Sequence, residues 1–375
     1  MSLPRVVVAP DSFKGSLGSA AAAAALARGL RRGAPGAEVV EHAIADGGEG
    51  TVDLVLRHGF APVDARVAGP LGTTVEARFA LRGDTAVVEM ATAAGLGLLP
   101  GPPDDGTARA ASTAGVGALL ATALDAGARR IVLGVGGSAT TDGGAGAVAA
   151  LGARLLDAGG AAVAPGGAAL LDLDRLDLGG LDPRLHDTEL LVACDVDNPL
   201  TGPAGAAAVY GPQKGAGPET VALLDRALTR WADAVAAATG RDLRDVPGAG
   251  AAGGLGFAAA ALLDARIVQG IGYLLEMTGF ADAVRGADLV VVGEGRLDAQ
   301  SLRGKGPIGV AADARAAGAE VVAVAGRSDL ADPAAAGLAA VYELRDLEPD
   351  PVASMRRAAD LLEVVGERIA ADRLS

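Results

Sequence analysis

Short apolar strands alternate with helices at both ends of this 375-residue chain, and this rhythm limits the fold more than any other feature. The amino end predicts strands at 5–10 and 38–45 with helices at 19–32 and 51–58. The carboxyl end predicts strands at 288–293, 320–325 and 340–344, with helices at 307–317, 333–337 and 351–371. Such alternation is typical of a parallel sheet covered by helices. We therefore predict an α/β fold in which both chain ends build one doubly wound sheet.

The middle of the chain breaks this rhythm. Three consecutive strands, at 63–67, 74–81 and 85–90, are separated by the turn sequences G-P-L-G and R-G-D, which indicates an antiparallel meander. Helices then follow at about 110–125, 144–156, 218–239 and 254–264, with buried strands between some of them. We predict that residues 62–280 form a second α/β domain, inserted into a first domain made of residues 1–61 and 281–375.

Composition excludes several classes of partner. Hydrophobic residues make up 50% of the chain but aromatic residues only 2%, which favours layered α/β structure over a β-sandwich. A net charge of −14 argues against nucleic acid and acidic membrane surfaces. No cationic leader precedes an apolar run, and the apolar stretches fall short of the ~20 residues that span a bilayer. We expect a cytoplasmic protein without nucleic-acid or membrane partners; a homo-oligomer is left open.

Polar side chains follow three strands of the predicted sheet, at the point where each strand ends. In the flavodoxin-like strand order 2-1-3-4-5 these strands are neighbours, and their carboxyl ends meet where ligands bind in such sheets. The alternative is ordinary turn chemistry, because Asp, Ser and Gly are common turn residues. The three clusters are Asp11, Ser12 and Lys14; Asp46 and Glu49; and Glu294, Arg296 and Asp298.

A glycine-rich loop at 134–147, G-V-G-G-S-A-T-T-D-G-G-A-G-A, lies between a strand and a helix. Backbone N–H groups in such a loop can hold an anion, and phosphate is the natural guest. The spacing fits neither the Walker A nor the Rossmann pattern. The candidate phosphate ligands in this loop are Gly136, Gly137, Ser138, Thr140 and Thr141.

The segment C-D-V-D-N-P places Asp195, Asp197 and Asn198 at another strand end. Carboxylate and amide oxygens are ligands that suit Mg²⁺. An Asx turn before proline is the alternative interpretation.

Only three of the 32 basic residues are lysines, and each precedes a glycine. Lysine is a compact point charge that suits a single phosphate oxygen, whereas arginine is a planar fork. The retention of lysine at Lys14, Lys214 and Lys305 therefore favours phosphate handling. His42 lies in a predicted strand, His58 at a helix end and His186 in a polar loop, and we assign none of them to catalysis. The sequence therefore favours phosphoryl transfer over a Ser-His-Asp hydrolase.

At these loops the chain resembles the type I glycerate kinases. The matching segments run nearly from end to end, and they include A-P-D-S-F-K-G-S-L, A-D-G-G-E-G-T, G-V-G-G-S-A-T-T-D-G-G-A-G, D-V-D-N-P-L-T-G, Y-G-P-Q-K-G-A and G-E-G-R-L-D-A-Q-S-L-R-G-K. The resemblance implies a flavodoxin-like domain interrupted by a different α/β domain. It also implies transfer of the ATP γ-phosphate to D-glycerate with Mg²⁺, giving 2-phosphoglycerate.

We interpret the candidate residues within that reaction. Lys14, Arg296 and Lys305 are expected to hold glycerate and the transferred phosphoryl group, with Asp11, Ser12, Asp46 and Glu49 near the substrate and Glu294 among the catalytic groups. The 136–141 loop and Lys214 are expected at the nucleotide phosphates. Asp195 or Asp298 is the candidate base or metal ligand, with Asp197 and Asn198 beside the metal. The alternatives are 3-phosphoglycerate as the product, or hydrolysis of small phosphorylated acids without ATP.

Overall fold

The computed structural model describes residues 3–298, 301 and 306–374. The chain divides into two compact units, a discontinuous unit of Met1–Asp46 with Ile271–Ser375 and an inserted unit of Gly47–Gly270. The boundaries that the sequence predicts, after residues 61 and 280, lie further along the chain at both places. Lys305 lies outside the described residues.

The strands are numbered β1 to β13 in chain order. They are β1 Arg5–Pro10, β2 Glu38–Glu41, β3 Ala61–Ala68, β4 Thr74–Arg82, β5 Thr85–Glu89, β6 Arg130–Gly134, β7 Arg154–Leu156, β8 Arg175–Asp177, β9 Glu189–Ala193, β10 Arg266–Val268, β11 Leu289–Leu297, β12 Glu320–Ser328 and β13 Ala340–Glu343.

The α-helices are numbered α1 to α14 in the same way. They are α1 Ser19–Gly33, α2 Thr51–Leu56, α3 Ala91–Ala94, α4 Asp105–Ala110, α5 Ala114–Asp125, α6 Ala145–Ala150, α7 Ala206–Tyr210, α8 Pro218–Thr239, α9 Ala251–Leu262, α10 Gly270–Thr278, α11 Phe280–Ala283, α12 Pro307–Ala316, α13 Pro351–Arg356 and α14 Ala358–Arg373.

The discontinuous unit is built on a five-stranded sheet in the order β13-β12-β11-β1-β2, with every neighbouring pair parallel. Numbered along this unit, the order is 2-1-3-4-5, so the flavodoxin-like prediction is confirmed. Helices α10, α11 and α12 bury apolar side chains in one core with β1, β11 and β12. Helix α1 packs on β1 and β2 and against α14. The point where the strand order reverses lies between β1 and β11.

Glycine brings α1 and α14 close together. A Cβ atom at Gly29 would lie 1.9 Å from the main-chain oxygen of Glu363, and one at Gly366 would lie 2.4 Å from the oxygen of Leu26. Each helix therefore presents bare backbone to the other, which lets an alanine-rich helix pack tightly without large side chains.

The inserted unit holds a mixed six-stranded sheet in the order β10-β9-β6-β5-β4-β3. Pairs β3–β4 and β4–β5 are antiparallel, which confirms the predicted meander, and the remaining pairs are parallel. A short antiparallel pair, β7–β8, forms a separate ribbon. Trp231 of α8 is fully buried, and its indole N–H donates to the main-chain oxygen of Gly143 at 2.9 Å. This bond ties α8 to the glycine-rich loop.

Three predicted helices differ in the structure. The helix expected at 144–156 ends at Ala150, because Gly152 adopts φ of 108° and the chain continues as β7. The helix expected at 351–371 is divided at Arg357 into α13 and α14. The one expected at 333–337 is a single 3₁₀ turn, Ala334–Ala336.

Among residues 3–298, 301 and 306–374, the helices lack the length and apolar character that a bilayer-spanning segment needs.

Candidate active site

The order of the parallel sheet brings three predicted clusters together at its carboxyl edge. Strands β2, β1 and β11 are consecutive neighbours, so Asp46 and Asp11, which follow β2 and β1, and Glu294, in the last part of β11, lie at one place. Their charges interact, since both Asp46 and Glu294 raise the pKa of Asp11. This is the switch point where ligands bind in such sheets.

Asp11 is a buried carboxyl at this edge, with only 7% of the residue exposed. Burial, and then the charge of Asp46, raise its pKa to about 7, against a main-chain hydrogen bond from Ser12 and the charge of Lys14. The Ser12 N–H donates to Asp11 Oδ1 at 2.6 Å. Ser12 thus contacts the carboxylate through its backbone.

Glu294 is the second perturbed carboxyl of the cluster. Burial raises its pKa to about 7, while a hydrogen bond from Ser301 and the charge of Lys14 act in the opposite direction. The Ser301 hydroxyl donates to Glu294 Oε1 at 2.6 Å and accepts from the main-chain N–H of Asp298 at 3.2 Å. A serine that the sequence did not single out therefore orients Glu294.

Basic side chains accompany these acids. Lys14 is mostly exposed, and its Nζ lies 3.8 Å from Asp46 Oδ2. Arg296 lies 3.6 Å from Asp298 and 2.7 Å from Asp329, and Arg327 lies 3.0 Å from the same Asp329 oxygen. Asp329 therefore holds two guanidinium groups side by side.

A cleft of about 590 Å³ opens along this edge. Asp11, Lys14 and Glu294 line one part of it, and Arg296 and Arg327 line another. Its remaining wall comes from the segment after β13 and from α13, including Leu344, Arg345, Pro351 and Met355. The described residues thus combine proton acceptors, cations and an apolar wall in one depression.

The glycines of the glycine-rich loop in the inserted unit allow its backbone to pack closely against a neighbouring segment. A Cβ atom on Gly136 would lie 2.4 Å from the Cα of Gly48, and the Gly136 N–H donates to Gly47 O at 3.1 Å. Beside them, a Cβ on Gly137 would lie 3.0 Å from Oε1 of Glu49, an exposed residue. The loop is pressed against the 47–50 segment.

The polar residues of the same loop are turned inward. Ser138, Thr140, Thr141 and Asp142 are all buried, and the hydroxyl of Thr141 finds no hydrogen-bond partner among the residues that the structure describes. Asp142 accepts hydrogen bonds from the N–H groups of Gly144 and Gly146 and from the N–H and hydroxyl of Thr113. The carboxylate of Asp142 thus already accepts hydrogen bonds at the amino end of α6.

Lys214 is also buried in the inserted unit, with 2% of the residue exposed. Its ammonium donates to Ser138 Oγ at 2.8 Å and to Thr140 O at 2.6 Å. Burial lowers its pKa to about 7, partly offset by the charge of Asp142. These bonds support the glycine-rich loop from within; the contact of Lys214 with nucleotide phosphates stays a prediction.

The three predicted metal ligands already have contacts within the protein or lie exposed at its surface. Both amide atoms of Asn198 are engaged, Nδ2 with Ala204 O at 2.8 Å and Oδ1 with the Tyr210 hydroxyl at 2.6 Å. Asp195 Oδ1 accepts from the Gly270 N–H at 3.1 Å, and Asp197 is exposed. Over residues 3–298, 301 and 306–374, no three His, Cys, Asp or Glu side chains converge as a metal site. The donor set of 195–198 therefore does not form a ready cage, and its metal role stays a prediction.

Glu89 and Arg327 are two residues at strand ends that the sequence patterns did not single out. Glu89 ends β5, is buried, and accepts from the N–H groups of Gly50 at 3.2 Å and Val52 at 3.1 Å. Burial raises its pKa to about 7 against those bonds. Both residues lie at the carboxyl end of a parallel-paired strand, so the rule that found Asp11 and Glu294 could have found them.

Comparison with known proteins identifies the chain as an enzyme of the kinase class. The model of the glycerate kinase family matches residues 6–373, which is nearly the whole chain. The chain therefore belongs to the glycerate kinase family, and the resemblance drawn from its sequence motifs is confirmed.

Individual relatives agree with this assignment. The chain is 47% identical to a glycerate kinase of Bacillus subtilis (strain 168) over 86% of its length and 85% of the relative. It is 43% identical, with the same coverage, to a glycerate 2-kinase of Escherichia coli (strain K12). A solved structure assigned as glycerate kinase 2 of Salmonella typhimurium LT2 aligns with a TM-score of 0.81 at 41% identity, covering 99% of this chain and 98% of that one.

Proposed function

We propose that this kinase transfers the γ-phosphoryl group of ATP to the 2-hydroxyl of D-glycerate, giving 2-phosphoglycerate and ADP. Membership of the glycerate kinase family supports the acceptor, and the name of the Escherichia coli relative supports the position of transfer. Magnesium enters as the Mg·ATP complex, because Mg²⁺ in kinases is held largely by the phosphates and few protein carboxylates.

The observation that carries this proposal is the pair of carboxyls beside Lys14: Asp11, which is buried, and Glu294, which is partly buried. A carboxylate whose pKa is near 7 can take a proton from an alcohol at physiological pH better than an ordinary one. As the hydroxyl oxygen bonds to the γ-phosphorus, its proton passes to Glu294 or Asp11 and the bond to ADP breaks. Lys14 offsets the negative charge of glycerate and the transferred group.

The direct test is to incubate the protein with D-glycerate and Mg·ATP and to identify the product by phosphorus NMR. We expect ADP to appear only when glycerate is present, together with the 2-phospho isomer. Phosphate release without glycerate would indicate a hydrolase, and the 3-phospho isomer would contradict the position of transfer.

Variants assign the proton acceptor. We expect Glu294→Gln and Asp11→Asn each to lower kcat by about 10²–10⁴-fold, which is the usual contribution of a general base. Asp195→Asn and Asp298→Asn test the acceptors favoured by the sequence. Asp282→Asn is the matched control, because Asp282 is an exposed carboxylate paired with Arg285 on the same unit. Full activity of both Glu294→Gln and Asp11→Asn would remove the proposed base.

A further inference from the structure

The cleft at the carboxyl edge of the discontinuous unit is larger than glycerate requires. At about 590 Å³ it falls in the range of roughly 300–1,000 Å³ that holds drug-sized ligands, whereas glycerate has a backbone of only three carbons. The surplus space extends away from Asp11 and Glu294, along β12 and toward α13. The cleft therefore has room for a second, larger ligand.

The lining of the cleft changes in character along its length. Arg296 and Arg327 stand next to the acidic end, held in place by the shared Asp329. Each arginine carries five N–H donors, which is more than the shared carboxylate can accept. Arg296 and Arg327 can therefore also donate hydrogen bonds to phosphate oxygens. Arg345 adds a third guanidinium to the lining.

The wall formed by the segment after β13 and by α13 is apolar apart from Arg345, Glu348 and Ser354. Leu344, Pro349, Pro351 and Met355 line it, and Met355 leaves 46% of its surface exposed. The Met355 methyl carbon lies only 3.0 Å from the position of a Cβ on Gly15, so this wall adjoins the β1–α1 loop that carries Lys14. A polarisable thioether on an open wall suits the face of an aromatic base.

We propose that this cleft is the nucleotide site of the kinase, with the base against Met355 and Pro351 and the phosphates at Arg296 and Arg327. The γ-phosphorus then points toward Asp11, Glu294 and Lys14, where the acceptor hydroxyl lies. This inference rests on the proposed function for the identity of the acceptor. It moves the nucleotide from the 136–141 loop, where the sequence predicts it, to the sheet edge of the discontinuous unit.

Direct binding separates this inference from the proposed reaction. Mg·ADP is titrated by calorimetry into the full-length protein without glycerate, and KM is measured for ATP and for D-glycerate. Because a charge-assisted hydrogen bond to phosphate is lost, Arg327→Met should weaken Mg·ADP binding by about tenfold or more. Met355→Asp should weaken it too, because it places a carboxylate on the apolar wall. The KM for D-glycerate should change by less than about twofold in both variants.

Arg285→Met is the matched control, since Arg285 is an exposed arginine of the same unit whose guanidinium pairs with the nearby Asp282. Labelling wild-type protein with 8-azido-ATP gives a readout that needs no variant to fold, and we expect the label within residues 344–358. Label within 134–147, or unchanged Mg·ADP affinity in both variants, would overturn the nucleotide site. If Mg·ADP binds as expected but glycerate is not phosphorylated, the proposed function fails and the nucleotide site stands.

Discussion

The ammonium of Lys214 donates a 2.6 Å hydrogen bond to the main-chain oxygen of Thr140, inside the inserted unit. A second bond at 2.8 Å joins it to the hydroxyl of Ser138. The lysine thus supplies hydrogen bonds to two oxygens of the glycine-rich loop that are shielded from water in the folded protein. This explains why a chain so rich in arginine keeps a lysine here, because a planar guanidinium cannot replace a compact ammonium at a closed site.

Lys214→Arg should therefore destabilise the inserted unit. The larger head group must enter a packed site, a change that typically costs about 1–3 kcal/mol, and the loss of either hydrogen bond adds to that. The measurement is the midpoint of urea unfolding, together with hydrogen exchange of the amides at 136–142. Lys14→Arg is the control, because Lys14 is mostly exposed. Equal midpoints and equal exchange in the two variants would contradict the role given to Lys214.

The activity should rise with pH through the pKa of Glu294. A general base works as the carboxylate, and burial has raised the pKa of Glu294 to about 7. We expect kcat/KM for D-glycerate to increase toward a plateau above about pH 7. Ser301→Ala removes a hydrogen bond that lowers this pKa, so the limb should move to higher pH. A profile unchanged by Ser301→Ala would argue against Glu294 as the titrating group.

Glu89 should make stability fall as the pH rises. Its pKa in the folded protein is about 7, above the value of an ordinary glutamate, so the folded state holds the proton more tightly than the unfolded state. The contribution is therefore greatest at low pH and is lost as the pH rises toward about 7. Comparing urea midpoints of wild-type protein and Glu89→Gln from pH 5 to pH 8 tests this. The difference between them should move in favour of the variant as the pH rises, and a constant difference would refute the linkage.

Gly29→Ala should separate α1 from α14. The new methyl group would lie 1.9 Å from the oxygen of Glu363, so one helix must shift, and overpacking of this kind costs about 1–3 kcal/mol or more. Gly18→Ala is the matched control, because a Cβ there meets nothing within 4 Å. Thermal unfolding of both variants, followed by circular dichroism, makes the comparison. A loss as small as that of Gly18→Ala would show that the helices can move apart freely.

The sequence predicted those features that depend on strand rhythm. The positions of β1, β11 and β12 and the antiparallel meander follow from apolar runs and turn residues, and the parallel order then brings Asp11 to Glu294. Patterns that depend on one residue were less readable. Gly152 interrupts a helix that the apolar positions before it would continue, because its φ of 108° is a backbone conformation that glycine adopts readily. In a chain so rich in glycine, this one glycine does not stand out as a helix terminator.

The glycine-rich loop shows a second limit of sequence reasoning. A phosphate cradle and a close contact between two backbones both require glycine, and the letters do not distinguish them. Only the structure shows Gly136 against Gly48 and the carboxylate of Asp142 at the start of α6. The cleft wall was likewise hidden, because Met355 and Arg327 are separated in the chain and line one cleft only in the folded unit.

Strand β1 lies inside its sheet, between β2 and β11. This position determines when the sheet can form during synthesis of the chain. The ribosome makes β1 among the first residues, yet its neighbour β11 follows only after the whole of the inserted unit. The inserted unit is continuous in sequence, so it can close its own core while β1, α1 and β2 still wait for the rest of their sheet. The sheet edge that carries Asp11 and Glu294 thus forms only after β11 has been made, and a truncated chain that lacks β11 has the acid of Asp11 without that of Glu294.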